Sequence, residues 1–324
     1  MTTFSDDELI NGVVAGDTRM IARLISLAEN RVERSRALLS ALPKRSERAQ
    51  IIGITGSPGA GKSSLVDQLS FSLANSGKRV AVVAIDPSSP FSGGAVLGDR
   101  IRMLTALSLD SVFVRSMATR GALGGISRGT HDALHILQCA PFDVIIIETV
   151  GVGQAEVDIV RSADTCAVVL VPGMGDSVQS LKAGIMEIAD LFIINKSDIF
   201  GADILEKDLR VLIGLVEHSP EDWEPPIVRT IATKGEGIDE TVAAFEKHHR
   251  WSSTSPRGLA RNIQLTKQRL LQLFLDDMRE EVEEKCQETL QRCACEVIDL
   301  QIGFPAAFER LHRAYIECAT KKNS

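Results

Sequence analysis

The chain has 324 residues, 44% of them apolar and 24% charged, and 36 basic against 43 acidic residues give it a net charge of −7. That composition supports a sizeable core and argues against a nucleic-acid-binding surface, and no apolar run approaches the roughly 18 residues that a membrane span needs. Six irregularly spaced cysteines and the acidic opening Met1-Thr2-Thr3-Phe4-Ser5-Asp6-Asp7-Glu8 argue against a disulfide framework and a basic leader, which predicts a cytoplasmic protein with reduced thiols.

Residues 6 to about 42 read as two amphipathic helices, with Leu9, Val13, Ile21, Leu24, Ile25 and Leu27 interspersed among Asp, Glu and Arg. Short apolar runs then follow at 51–54, 80–85, 144–147, 166–171 and 191–194, alternating with helical patterns. This is the pattern of a parallel sheet buried on both faces, so the expected class is α/β.

Directly after the first run, Gly56-Ser57-Pro58-Gly59-Ala60-Gly61-Lys62-Ser63 fills the pattern G-x-x-x-x-G-K-[ST], with Ser64 next in the chain. Between a strand and a helix, such a loop wraps backbone N–H groups around nucleotide phosphates. Its lysine reaches the β and γ oxygens, and its hydroxyl ligates Mg²⁺. The helix it opens is predicted from Lys62 to about Asn75, with Leu65, Leu69 and Leu73 on one face.

Mg²⁺ takes oxygen ligands in near-octahedral geometry, so an acid at the end of another strand should accompany Ser63. Glu148 ends the run Val144–Ile147 and is followed three residues later by Gly151, whose N–H could sense a γ-phosphate; Asp86 ends the run at 80–85, and Asp99 lies in the loop beyond it. The plain alternative for Asp86 and Glu148 is that they only cap strand ends.

Asn195-Lys196-Ser197-Asp198 follows Leu191–Ile194 and fits N-K-x-D. A carboxylate at the fourth position accepts hydrogen bonds from guanine N1–H and the exocyclic amine, a donor pair that adenine does not present in that arrangement. Asp198 is therefore the predicted guanine selector, Lys196 lies along the base, and Asn195 ties this loop to the phosphate loop.

From about residue 239 strands disappear. Leu259–Cys295 reads as one long amphipathic helix and 305–320 as another, with Ser252-Ser253-Thr254-Ser255-Pro256 as a short flexible link.

Several further blocks carry a family resemblance: Asp86-Pro87-Ser88-Ser89-Pro90, Gly98-Asp99-Arg100-Ile101-Arg102-Met103, Arg120-Gly121-Ala122-Leu123-Gly124-Gly125, Glu148-Thr149-Val150-Gly151-Val152-Gly153-Gln154, and Pro172-Gly173-Met174-Gly175-Asp176 through Gly184-Ile185. Together with the phosphate loop, they resemble the MeaB/ArgK family of metallochaperone-type P-loop GTPases from about residue 50 to 240. The resemblance implies a P-loop NTPase fold with a mostly parallel central sheet flanked by helices. It divides the chain into an N-terminal helical extension (1–45), a GTPase domain (46–240) and a C-terminal helical dimerisation region (241–324).

It also implies a homodimeric GTP-hydrolysing chaperone that uses GTP/GDP and Mg²⁺. Its partner would be an adenosylcobalamin-dependent acyl-CoA mutase, whose cofactor loading, protection and reactivation it gates. Carried onto this chain, Lys62 and Ser63 handle phosphate and metal, Asp86, Asp99 and Glu148 form the acidic metal environment, and Gln154 is a candidate to orient water. Asp176 and Lys182 fall in an additional switch loop, and Gly151 and Gln154 in another. Hydrolysis would be slow without the partner.

Two departures stand out. The second base-contacting loop usually reads Ser-Ala, and here it is Ile231-Ala232, so Ala232 keeps its backbone contact while a bracing hydroxyl is lost; Ile101 stands where a threonine is common. Two rivals stay open: a nickel- or cobalt-inserting GTPase of the same superfamily, and a small-molecule kinase. The first needs a thiol or imidazole cluster, and the only close pair is Cys293-Ala294-Cys295, whose side chains diverge on a helix. No motif marks the substrate pocket that the second needs.

Overall fold

A computed structural model describes residues 4–30, 32–86, 105–118, 128–149, 162–173, 189–215, 219 and 221–320, and of Asp86, Leu107, Ala319 and Thr320 the backbone alone. Its centre is a seven-stranded sheet. The strands are β1 (Gln50–Gly56), β2 (Val80–Asp86), β3 (Val112–Ala118), β4 (Val144–Thr149), β5 (Thr165–Leu170), β6 (Leu191–Ile194) and β7 (Ile227–Arg229), in the order β3-β2-β4-β1-β5-β6-β7. Each pairing is parallel.

Because strand side chains alternate, one run of apolar residues serves two cores. Ile51, Ala81, Val83, Ile145 and Ile147 face α1 (Asp6–Ala15), α2 (Thr18–Glu29), α3 (Glu33–Ala41) and α5 (Arg128–Cys139). Ile52, Ile54, Val80, Val82 and Ile146 face α4 (Lys62–Asn75) and α7 (Ile238–Thr254), while α6 (Ala202–Gly214) covers Val168, Leu170, Phe192 and Ile194. The predicted face of α4 is buried: Leu65, Leu69 and Leu73 are all at or below 3% exposed.

Residues 6–42 form three helices rather than two. Gly16, in the left-handed region at φ 80°, closes α1, and the Asp17 carboxylate caps α2 through the N–H groups of Arg19 and Met20. Asn30 ends α2, and α3 starts at Glu33. The run Leu259–Cys295 is likewise divided, into α8 (Pro256–Lys285) and α9 (Gln287–Ile298), because Cys286 leaves helical geometry at φ −113°, ψ 15°. The expected flexible link shrinks to Ser255. Ser252, Ser253 and Thr254 stay helical with their hydroxyls bonded back to the carbonyls of His249 and Arg250.

The chain groups into two compact units, residues 1–265 and 266–324. The second contains the rest of α8, α9 and α10 (Phe304–Thr320), where Arg310 pairs with Glu296 and the Tyr315 hydroxyl meets Glu281 at 3.4 Å. Leu270, Leu271, Phe274, Leu275, Phe304 and Phe308 are exposed there. All six cysteines are free thiols, Cys293 buried and Cys295 exposed. Among the described residues no helix is long and apolar enough to cross a membrane.

Candidate functional site

The sheet order reverses around β1: the chain leaves it for β2 on the far side of β4, whereas β5 continues on the other flank. In open parallel sheets this switch point opens a crevice at the carboxyl ends of the strands. The loop after β1, Glu148 at the end of β4, the loop after β6 and the loop after β7 all emerge at that edge.

The loop 56–61 turns tightly because three of its glycines take left-handed angles: φ is 138° at Gly56, 76° at Gly59 and 84° at Gly61. A β-carbon on Gly56 would lie 2.1 Å from the Val169 carbonyl oxygen, and one on Gly61 would lie 2.5 Å from Asn195 Nδ2. Gly61 is also the N-cap of α4 and brings no side chain to it, so the first-turn N–H groups are presented to the loop, at the positive end of the helix dipole. Lys62 is 6% exposed, and its ammonium donates to the carbonyls of Gly56 (2.6 Å) and Ser57 (3.1 Å).

Next to it, the Ser63 hydroxyl donates to Glu148 Oε1 at 2.6 Å. The register explains the meeting: Glu148 pairs with Ile54 across β1–β4 and lies level with the start of the loop. Glu148 is 3% exposed. A hydroxyl and a carboxylate oxygen are both hard donors, so this pair fits Mg²⁺. Asp86 ends β2, which flanks β4, and so reaches the same edge through its backbone. Asp99, Gly151, Gln154, Asp176 and Lys182 lie outside the described residues.

The loop after β6 is bound to the phosphate loop by two side chains. Asn195, 2% exposed, donates from Nδ2 to the Ala60 carbonyl (2.8 Å), and the Lys196 ammonium donates to the Gly59 carbonyl (2.9 Å). Lys196 takes the left-handed region at φ 54°, a conformation that costs a non-glycine residue about 1–2 kcal/mol. Asn195 Oδ1 accepts from the Thr230 hydroxyl and the Ala232 N–H, both at 3.1 Å, which joins the loop after β7 to the same assembly. Asp198 faces outward, 46% exposed, with Lys234 Nζ 3.6 Å from its Oδ2.

Thus Gly56 to Ser64, Glu148, Asn195, Lys196, Asp198 and Ala232 are brought to one edge. Two participants went unread in the sequence. Thr230 supplies the bracing hydroxyl that Ile231 lacks, one residue earlier than expected, and Lys234 contacts Asp198. Both lie in the run Thr230-Ile231-Ala232-Thr233-Lys234, so proximity to Ala232 was the available signal.

The family model described as methylmalonyl Co-A mutase-associated GTPase MeaB matches residues 21–287. The chain belongs to this family. It is a GTPase with a P-loop fold, and guanine nucleotide is its ligand. A Pyrococcus horikoshii protein named as a GTPase is 48% identical over 77% of this chain and 79% of its own length. GTPase ArgK of Escherichia coli is 35% identical over 72% of each chain. The mouse methylmalonic aciduria type A homolog, a mitochondrial protein, is 36% identical over 72% of this chain and 60% of its own. The crystal structure of an LAO/AO transport system kinase superposes with a TM-score of 0.71 at 24% identity, covering 96% of this chain and 99% of that one, a likeness of fold.

Proposed function

We propose that this chain is a Mg²⁺-dependent GTPase that gates cofactor loading, protection and reactivation of an adenosylcobalamin-dependent acyl-CoA mutase. The family's description as mutase-associated and the likeness to the mouse methylmalonic aciduria homolog support the choice of client. The observation that carries the nucleotide part is the direct bonding of three loops and the end of β4: Ser63 to Glu148, and Asn195 to both Ala60 and Ala232.

In this reading the Ser57–Gly61 backbone and the α4 N-terminus hold the α and β phosphates. The Lys62 ammonium exchanges the Gly56 and Ser57 carbonyls for β and γ oxygens. Ser63, Glu148, Asp86 and Asp99 provide the metal's oxygen environment; when bound, Mg²⁺ neutralises charge developing on the phosphates. Asp198 accepts from guanine N1–H and the amine, Lys196 lies along the base, and the Ala232 N–H, now 3.1 Å from Asn195 Oδ1, is shared with guanine O6. Gln154 orients water, and the segments holding Gly151, Asp176 and Lys182 respond to the γ-phosphate. The exposed leucines and phenylalanines of 266–324 support a dimerisation role for the C-terminal helices.

The test is GTP turnover measured with and without purified cobalamin-dependent acyl-CoA mutases. A client that raises turnover about tenfold supports the reading; no stimulation by any of them rejects the chaperone assignment and leaves the GTPase.

A further inference from the structure

The carboxylate assigned to guanine reading lies 3.6 Å from a lysine of the loop after β7. Ile231 stands where a serine hydroxyl would brace the loop, and the Thr230 hydroxyl is committed to Asn195 Oδ1 at 3.1 Å. Among the described residues Asp198 has one side-chain partner, Lys234, with Nζ 3.6 Å from Oδ2.

Lys234 is placed there by a short, well-closed turn. Ala232–Lys234 is one turn of 3₁₀ helix, the Lys234 N–H donates to the Ile231 carbonyl at 2.8 Å, and Gly235 follows in the left-handed region at φ 73°. The Ile231 N–H donates to the Glu236 carbonyl at 3.0 Å and closes the base of the turn. Lys234 therefore stands two residues past the Ala232 N–H, on the same loop that faces the base.

We propose that Lys234 is a positioning residue for guanine selection: its ammonium fixes the Asp198 carboxylate in the orientation that accepts both N1–H and the exocyclic amine. The proposal rests on the reading of Asp198 as the guanine selector. A carboxylate has about four lone-pair sites, so one ammonium contact leaves room for both base donors. In the open site the pair is solvated, at 54% and 46% side-chain exposure, and worth little. A purine seated beside it displaces water, and the same charges then interact in a lower effective dielectric.

The test is calorimetric binding of GDP, IDP and ADP to wild type, Lys234→Ala, Lys234→Arg and Asp198→Ala; IDP lacks the exocyclic amine. Lys234→Ala is expected to weaken GDP about fivefold, IDP less and ADP not at all, with recovery in Lys234→Arg. Equal losses for all three nucleotides would show general attraction of the ammonium for phosphate and overturn the proposal. An unchanged GDP-to-IDP ratio in Lys234→Ala, with that ratio collapsed in Asp198→Ala, would also overturn it while sparing the base reading. If Asp198→Ala keeps the ratio too, the base reading itself fails.

Discussion

Asn195 and Ala60, 135 positions apart, are joined by a 2.8 Å hydrogen bond from the buried side-chain amide to the loop carbonyl. The other end of that amide accepts from Thr230 and Ala232, so one residue fixes the spacing between the phosphate loop and the loops after β6 and β7. Asn195→Ala removes all three bonds and leaves buried groups unsatisfied. At about 1 kcal/mol per bond, it should lower stability by about 2–3 kcal/mol and weaken GDP at least tenfold. Urea unfolding and GDP titration check both.

Gly61 sits against that amide, and its left-handed φ of 84° already disfavours a side chain. In Gly61→Ala the new β-carbon would approach Asn195 Nδ2 to 2.5 Å. Backbone strain of about 1–2 kcal/mol adds to loss of the Asn195–Ala60 bond. The variant should fold with a lowered Tm and bind GDP weakly. Wild-type GDP affinity would show that the loop accommodates the methyl group elsewhere.

Glu148→Gln keeps an acceptor for the Ser63 hydroxyl, 2.6 Å away in the native protein, but removes the negative charge. If the pair holds Mg²⁺, the variant should need more Mg²⁺ for half-maximal turnover and hydrolyse GTP about a hundredfold more slowly. GDP binding measured without Mg²⁺ should stay near wild type. Turnover with an unchanged Mg²⁺ dependence would remove Glu148 from the metal environment.

The central strands were legible because burial on both faces demands near-continuous apolar runs: Val144–Ile147 and Leu191–Ile194 contain nothing else. The two missed strands, β3 and β7, are the sheet's edges. Edge strands tolerate polar residues, and β3 carries Arg115 and Ser116 in mid-run, with Arg115 paired to Glu29 at 2.9 Å. The site divides in a similar way. Contiguous motifs named the phosphate loop and Asn195–Asp198, since their geometry is local. Thr230 and Lys234 act through residues in another loop, and only the parallel placement of β7 beside β6 shows whom they meet.

In the proposed base reading, Asp198→Asn exchanges an acceptor for a donor at the point where guanine would offer two donors. GTP should bind about a hundredfold more weakly, and xanthosine triphosphate, which presents a carbonyl where guanine has its amine, should gain. Competition titrations with the two nucleotides decide it: equal GTP affinity in variant and wild type would remove Asp198 from base reading.

At the opposite end of β6 from the loop Asn195–Asp198, a buried polar group predicts how stability responds to acid. Asp190, immediately before the strand, is 5% exposed and pairs with Arg261 at 2.6 Å; His248, 1% exposed, places Nε2 3.5 Å from the same carboxylate. Burial pushes the Asp190 carboxyl up to about 6, against the pull of Arg261 and the Cys166 N–H. Burial, helped by the charges of Arg261 and His249, drives His248 down to about 3. The signs oppose. Stability from Asp190 is present below its unfolded value of 3.8 and lost as pH rises through about 6, whereas that from His248 is present above 6.5 and lost as pH falls toward 3. Between about pH 6 and 4 the two nearly cancel. His248→Gln removes one side of the balance, so on acidification from pH 7.5 to 5 its urea midpoint should fall less than that of wild type. Parallel declines in the two proteins would show that His248 takes up its proton in the folded state.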